Sequence, residues 1–241
     1  MTVAPTRDSL LGGALTLWQP ARGCGYRFNL DPVLLAGFVA PARHVLDLGA
    51  GCGVIGLLLL RLGKAERVTA VEIQPELAAL ATQNAADNGF CHRFHVLEGD
   101  LRTVDLPHAD AVVFNPPYFR RGDGRVSPEA GRAAGRFESH GTLADFVRSA
   151  IRSVSSRGRV SAVVPVGRRR EVETECVANG ASLRRQRDVC SRVGSRARHL
   201  LWEAVRAPGV RTEPPLSESP LVVHGAVGRE FSPEVRLLLR E

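Results

Sequence analysis

Asn115-Pro116-Pro117-Tyr118 follows the apolar run Ala111-Val112-Val113-Phe114 and has the composition of a rigid tip. Proline has no N–H to give a ladder and fixes φ, so the ladder ends at Phe114 and the next four residues stand outside the sheet. Upstream, V-L-D-L-G-A-G-C-G-V-I-G (45–56) carries two overlapping patterns, Gly51-x-Gly53-x-x-Gly56 and Asp47-x-Gly49-x-Gly51-x-Gly53. Glycines let a backbone turn tightly and let a ligand approach with no Cβ in the way. The helix that follows presents free N–H groups. The first pattern is a dinucleotide fingerprint, whose pyrophosphate favours a helix N-terminus. A carboxylate at the strand end is an awkward neighbour for a pyrophosphate, and Asp47 suits a ligand with cationic parts better. Glu72 and Asp100 end the next two strand-like runs, so three acids stand at three successive strand ends beside a glycine loop.

The Asp47–Gly53 pattern resembles the first motif of methyltransferases that use S-adenosylmethionine, whose sulfonium and ammonium are such cationic parts. In that setting Glu72 accepts from both ribose hydroxyls, a carboxylate offering two oxygens, and Asp100 accepts from the cofactor's adenine amine. Asn115-Pro116-Pro117-Tyr118 resembles the catalytic motif of methyltransferases acting on planar amino groups, namely adenine, glutamine amide and guanine. Such an amine has its lone pair delocalised. It needs its hydrogens held so that the nitrogen becomes more tetrahedral. The Asn115 side-chain oxygen and the Pro116 carbonyl each accept one N–H, and the prolines preset both acceptors. Tyr118 offers a flat face for stacking, worth about 1–3 kcal/mol per base.

The elements that must position these residues alternate. Strands are predicted at 44–48, 67–72, 93–98, 109–114 and 159–165, and helices at 54–62, 76–88, 143–154 and 168–179, two of them closed by Gly89 and Gly180. Two further strand runs, 182–189 and 198–206, flank the basic loop S-R-V-G-S-R-A-R as an antiparallel hairpin. The expected fold is α/β: a seven-stranded, mostly parallel sheet, a C-terminal antiparallel hairpin, and helices on both faces. Ligands in such sheets bind at the carboxyl ends of the strands near the topological switch.

The 241 residues carry a net charge of +7, and Lys64 is the only lysine. Between Arg120 and Arg211 there are 20 Arg against 9 Asp and Glu, a cationic balance that suits nucleic acid. No apolar run of about 18 residues is present, and no basic start followed by an apolar stretch marks a secretion signal. The five cysteines show no metal-ligand spacing, so no metal is expected and a reducing, cytoplasmic setting fits.

Together these stretches resemble the bacterial tRNA(Val) adenine-N6 methyltransferase family, within the Rossmann-like class I methyltransferases, over most of the chain. G-Y-R-F-N-L-D-P-V-L-L-A (25–36) is similar to that family's leading segment, which covers the cofactor. S-P-E-A-G-R-A-A-G-R-F-E (127–138) is similar to its post-catalytic loop, and R-H-L-L-W-E-A and L-V-V-H-G…F-S-P-E-V to its late strand and final strand-plus-helix. The resemblance implies a single globular unit, with residues 1–40 covering the cofactor site and 41–241 forming the methyltransferase domain. It implies S-adenosylmethionine held by Asp31, Asp47, Gly49, Gly51, Gly53, Glu72, Ile73, Asp100, Leu101 and Asn115. The catalytic tip is Asn115, Pro116, Pro117 and Tyr118. The substrate is an adenine in a tRNA anticodon loop, with Arg120, Arg121, Arg125, Arg132 and Arg136 on the RNA backbone. His140 and His199 lie in or near basic loops. A glutamine methyltransferase acting on release factors shares the tip but usually carries a helical domain upstream, and only about 43 residues precede the first predicted strand here. Ribosomal guanine-N2 methylation and a non-catalytic scaffold are the other readings.

Overall fold

A computed structural model describes residues 4–21, 23, 27–117, 141–206, 214–225, 228 and 230–240. An eight-stranded sheet in the order β10-β8-β9-β7-β6-β3-β4-β5 forms its centre. The strands are β3 (Ala42–Leu48), β4 (Ala65–Glu72), β5 (Phe94–Glu98), β6 (Ala109–Phe114), β7 (Val154–Pro165), β8 (Ala181–Cys190), β9 (Ala197–Arg206) and β10 (Leu216–Val222). From β7 to β5 every pairing is parallel. β9 runs antiparallel to both β7 and β8, giving the expected hairpin.

The helices are α1 (Asp31–Phe38), α2 (Val54–Arg61), α3 (Pro75–Asp87), α4 (Leu143–Ser153), α5 (Arg169–Ala178) and α6 (Pro233–Leu239). Successive strand residues feed two cores, as the period-two pleat requires. Val45, Ala111, Val113 and Leu201 pack with α1, α2, α3 and α6. Leu46, Leu48, Val112, Phe114, Leu200 and Trp202 pack with α4 and α5. Helix α4 shows how the pattern is read: Leu143, Phe146, Val147, Ala150 and Ile151 are buried at helical spacing. Thr142 and Asp145 close its start as a capping box.

The sheet has one strand more than the seven expected. β10 reads L-S-E-S-P-L-V and pairs on one side only, parallel to β8. As an edge strand it tolerates polar residues and Pro220, and so lacks the apolar run that marks a central strand. A separate hairpin of β1 (Thr6–Leu10) and β2 (Leu15–Gln19) also lay outside the expectation. Gly12 and Gly13, both at positive φ, are the turn signature that identifies it.

The β1–β2 hairpin docks on α3 through two asparagines. Asn84 Oδ1 accepts from Trp18 N (2.6 Å) and its Nδ2 donates to Trp18 O (2.9 Å). Asn88 makes the same pair with Thr16 N (3.0 Å) and O (2.6 Å). Four residues of helix rise about 6 Å and two residues of strand about 6.6 Å, so side-chain amides spaced i, i+4 imitate a neighbouring strand. Asn84 Nδ2 also donates to Cys52 O at 2.9 Å, which ties the hairpin to the glycine loop.

Lys64, the lone lysine, is committed to the fold. Its Nζ donates to the carbonyls of Ala36 (2.9 Å), Gly37 (2.6 Å) and Val39 (2.9 Å), closing the carboxyl end of α1, where a cation is favoured. Lys64→Met keeps the aliphatic stem and deletes all three donations. Its expected cost is about 2–3 kcal/mol of unfolding free energy in a denaturant titration. An unchanged midpoint would show that the cap contributes nothing net.

Candidate functional site

β3 and β6 are hydrogen-bonded neighbours, yet the chain leaves β3 toward β4 and β5 and leaves β6 toward β7. Their shared border is the topological switch, where the loops at the carboxyl ends diverge and open a crevice. Leu48 pairs with Phe114, so Gly49 and Asn115 are the next residues along adjacent strands, about 4.8 Å apart in the sheet direction. The glycine loop and the Asn-Pro-Pro tip therefore face one crevice. Glu72 ends β4 and Asp100 follows β5. The four groups span three strand spacings, about 14 Å.

The glycine loop leaves β3 with Gly49, Gly51 and Gly53 at φ of 66°, 58° and 86°, the left-handed region where a Cβ is strained. Space adds a second demand: a Cβ on Gly49 would stand 2.9 Å from the Phe146 ring. Gly56 has an ordinary helical φ, but a Cβ there would meet Val68 Cγ1 at 2.7 Å and Phe94 Cε2 at 2.8 Å. Its smallness lets α2 lie close on the sheet, the role of the third glycine in the dinucleotide pattern.

Two acids brace the loop from below. Glu72 is buried; its Oε2 accepts from Gly51 N at 2.8 Å and its Oε1 from Gln74 N at 2.9 Å. Oε1 also accepts from Gln74 Nε2 at 3.5 Å, and Oε2 retains a second lone pair. Asp47 is fully buried, and its Oδ2 accepts from Gly56 N at 3.0 Å, giving the first turn of α2 the acceptor that its glycine cap lacks. Asp47 Oδ1 is buried with no hydrogen-bond partner among the described residues. Burial, and secondarily the charge of Glu72, pushes the Asp47 carboxyl up to about 7, against the opposing pull of the Gly56 N–H. Asp47 is thus a half-satisfied buried carboxyl beneath a loop in which glycine alternates with the small side chains of Ala50 and Cys52, and such a group is costly unless a donor meets it.

The remaining expected residues fall as follows. Asp100 is partly buried, and its carboxylate is forked by Arg102, whose Nε lies 2.9 Å from both oxygens. Ile73 is half-buried beside Glu72. Leu101 is buried in the core under α4, with its carbonyl accepting from Ser149 Oγ at 3.0 Å. Asp31 is buried at the start of α1, linked to Asn29 Nδ2 at 2.7 Å and facing His199 Nδ1 at 3.9 Å. Asn115 and Pro117 are half-buried and Pro116 is buried. Phe114 anchors the tip from beneath, its ring 5.5 Å from Phe146 and 5.7 Å, edge-on, from Trp202. Tyr118, Arg120, Arg121, Arg125, Arg132, Arg136 and His140 lie outside the described residues. Sequence reasoning missed Asn84, which couples the glycine loop to the hairpin; its only mark in the sequence is the i, i+4 repeat with Asn88 on an apolar helix.

A family model, the methyltransferase small domain, matches residues 31–164, which hold the glycine loop, the acids and the tip. The chain belongs to this family. The resemblance drawn from the motifs extends to named relatives. A protein of Tolumonas auensis called tRNA1(Val) (adenine(37)-N6)-methyltransferase is 28% identical over 193 residues, 79% of this chain and 81% of that protein. One of the same name from Porphyromonas gingivalis is 28% identical over 228 residues, 89% of this chain and 88% of that protein. Among solved structures, one described as a predicted O-methyltransferase from Agrobacterium tumefaciens shares 28% identity at a TM-score of 0.67, covering 86% of this chain and 94% of that one. The Rossmann-like methyltransferase fold expected from the motifs is thus the fold of this chain.

Proposed function

We infer that the chain methylates the N6 amino group of an adenine in tRNA, with S-adenosylmethionine as donor and the anticodon loop as the site. The observation that carries this reading is the adjacency of Asn115-Pro116 to Gly49 at the switch, above a buried Asp47 oxygen without a partner. That orphaned oxygen fits the ammonium of S-adenosylmethionine. The glycine loop leaves room for its amino-acid end, and Glu72 Oε2 keeps a lone pair for its ribose. When bound, the cofactor supplies an electrophilic methyl carbon on a sulfonium.

The chain's own residues do the rest. Asn115 Oδ1 and the Pro116 carbonyl accept the two amine hydrogens, which localises the nitrogen lone pair toward the donor. The prolines keep both acceptors in place before the substrate arrives, so no reorganisation is needed during the transfer. Positioning supplies much of the remaining barrier reduction. An anticodon-loop base leaves its stack cheaply, and Tyr118 receives its face. The β1–β2 hairpin, held to Cys52 through Asn84, supports assigning residues 1–40 as a cover for the cofactor. Among the described residues no helix is long and apolar enough to cross a membrane; a tRNA substrate supports a cytoplasmic setting. The names of the relatives support adenine over the glutamine and guanine alternatives.

The deciding experiment incubates the protein and labelled S-adenosylmethionine with unmodified tRNA transcripts and, separately, with purified release factor. Nucleoside mass spectrometry is expected to find N6-methyladenosine in tRNA. Methyl transfer to release factor alone, or to guanine, overturns the reading.

A further inference from the structure

The β8–β9 hairpin turns at the carboxyl edge of the sheet, the edge that carries Asn115. The register shows this: Pro165, the last residue of β7, pairs with His199 near the start of β9, and Cys190 pairs with Ala197 across the hairpin. The turn at 191–196 projects beyond the strand ends, two strand spacings or about 10 Å from β6. It is braced internally, with Arg192 N donating to Ser195 Oγ at 3.0 Å, and Ser195 Oγ and N donating to Arg192 O at 2.8 and 3.1 Å. It is also braced from the side, because Val223 N and His224 N donate to Cys190 O (2.9 Å) and Ser191 O (3.0 Å) beyond the end of β10. Where Val189 faces His199 but Cys190 faces Ala197, Arg198 is the extra residue of a bulge, a device that re-aims a side chain.

The charges on this edge divide into two groups. Arg168 and Arg169 are ion-paired with Glu171 and Asp188. Arg170, in the first turn of α5 just past β7, and Arg196 and Arg198 on the hairpin are exposed, and among the described residues none of these three guanidinium groups has a hydrogen-bonding or acidic partner. Val193, at the tip between them, is 79% exposed. Glu171 and Asp188, the acids beside Arg168 and Arg169, are thus already engaged. What remains is a rigid turn offering uncommitted guanidinium groups and one apolar side chain, which matches a polyanion carrying flat apolar groups.

Building on the RNA reading above, we propose that this turn docks the substrate: Arg196 and Arg198, with Arg170, hold phosphates of the RNA flanking the target base, and Val193 lies against a sugar or base. The test measures binding of an unmodified tRNA transcript against salt for the wild type, an R196Q/R198Q double variant, and Arg157→Gln, whose exposed guanidinium sits near the amino-terminal start of β7 on the opposite edge. The double variant is expected to lower the slope of log Kd against log salt by about 1.5. It should raise the KM for tRNA about tenfold or more at physiological salt, with kcat and S-adenosylmethionine affinity unchanged and Arg157→Gln matching the wild type. A double variant with wild-type slope and KM overturns the proposal, as does an equal loss in Arg157→Gln. If wild-type protein neither binds nor methylates tRNA, the functional reading fails and this proposal with it, whereas normal methylation with indifferent arginines sinks the docking turn alone.

Discussion

Asn115→Ala is expected to lower kcat for methyl transfer by about 100- to 1,000-fold, the range seen when one preorganised hydrogen-bonding partner is deleted from a transition state. The same variant should bind S-adenosylmethionine within about threefold of wild type, because most of the residues proposed to receive the cofactor lie at the ends of β3, β4 and β5, and Asn115 is a single contact following β6. The fold should survive, since Asn115 stands past the last ladder residue and Phe114 beneath it keeps its ring contacts. Asn115→Asp separates chemistry from shape. It retains acceptor oxygens at the same reach, so it should lose less than the alanine variant. A radiolabelled methyl-transfer assay paired with calorimetric cofactor titration reads both quantities. Near-wild-type turnover by Asn115→Ala would remove the tip from the mechanism and with it the reason for assigning a planar amine as substrate.

The reach of sequence reasoning follows from where the constraint is local. Apolar runs such as Val112–Phe114 mark central strands because both faces of a parallel sheet are buried, and Gly89 and Gly180 end helices because they take positive φ. The acids at strand ends were legible for the same reason, since strand, loop and helix alternate without interruption. The roles of those acids were only half legible. Spacing places Asp47 and Glu72 at the strand ends, but that Glu72 already accepts from the loop at Gly51 N and Asp47 from the first turn of α2 at Gly56 N depends on how the glycine loop folds back over them. β1 and β10 escaped because edge and hairpin strands need no continuous apolar run. Asn84 escaped because its partners, Trp18 and Cys52, lie 66 and 32 residues away, and an amide that imitates a strand leaves no local pattern.

If Asp47 receives the cofactor's ammonium as proposed, binding has a pH dependence of predictable sign. Burial first, and the Glu72 charge after the opposing Gly56 hydrogen bond, raise its pKa from 3.8 to about 7 in the ligand-free protein. The carboxyl is therefore largely protonated at pH 6 and largely ionised at pH 8. A bound ammonium favours the ionised form, so binding expels the proton wherever the free site holds one. The dissociation constant should fall nearly tenfold per pH unit from pH 5 toward 7. It should level off above that, until the ligand's own amino group loses its charge. Calorimetry at pH 6 in buffers of different ionisation enthalpy should count about one proton released per ligand, a number that falls as the pH rises through 7. Asp47→Asn should abolish both the slope and the release, and weaken binding at pH 8 by about 10- to 100-fold, the worth of one hydrogen bond to a charged group. Stability moves the other way. The folded pKa lies above the unfolded value, so the native state binds more protons between about pH 4 and 7 and loses stability as pH rises through that window. Ligand-free Asp47→Asn should therefore melt higher than wild type at pH 8 while binding more weakly. A carboxyl kept ionisable at a cost to the empty fold is what a cation-binding site requires, and equal melting temperatures together with a flat wild-type pH profile would show that Asp47 only supports α2.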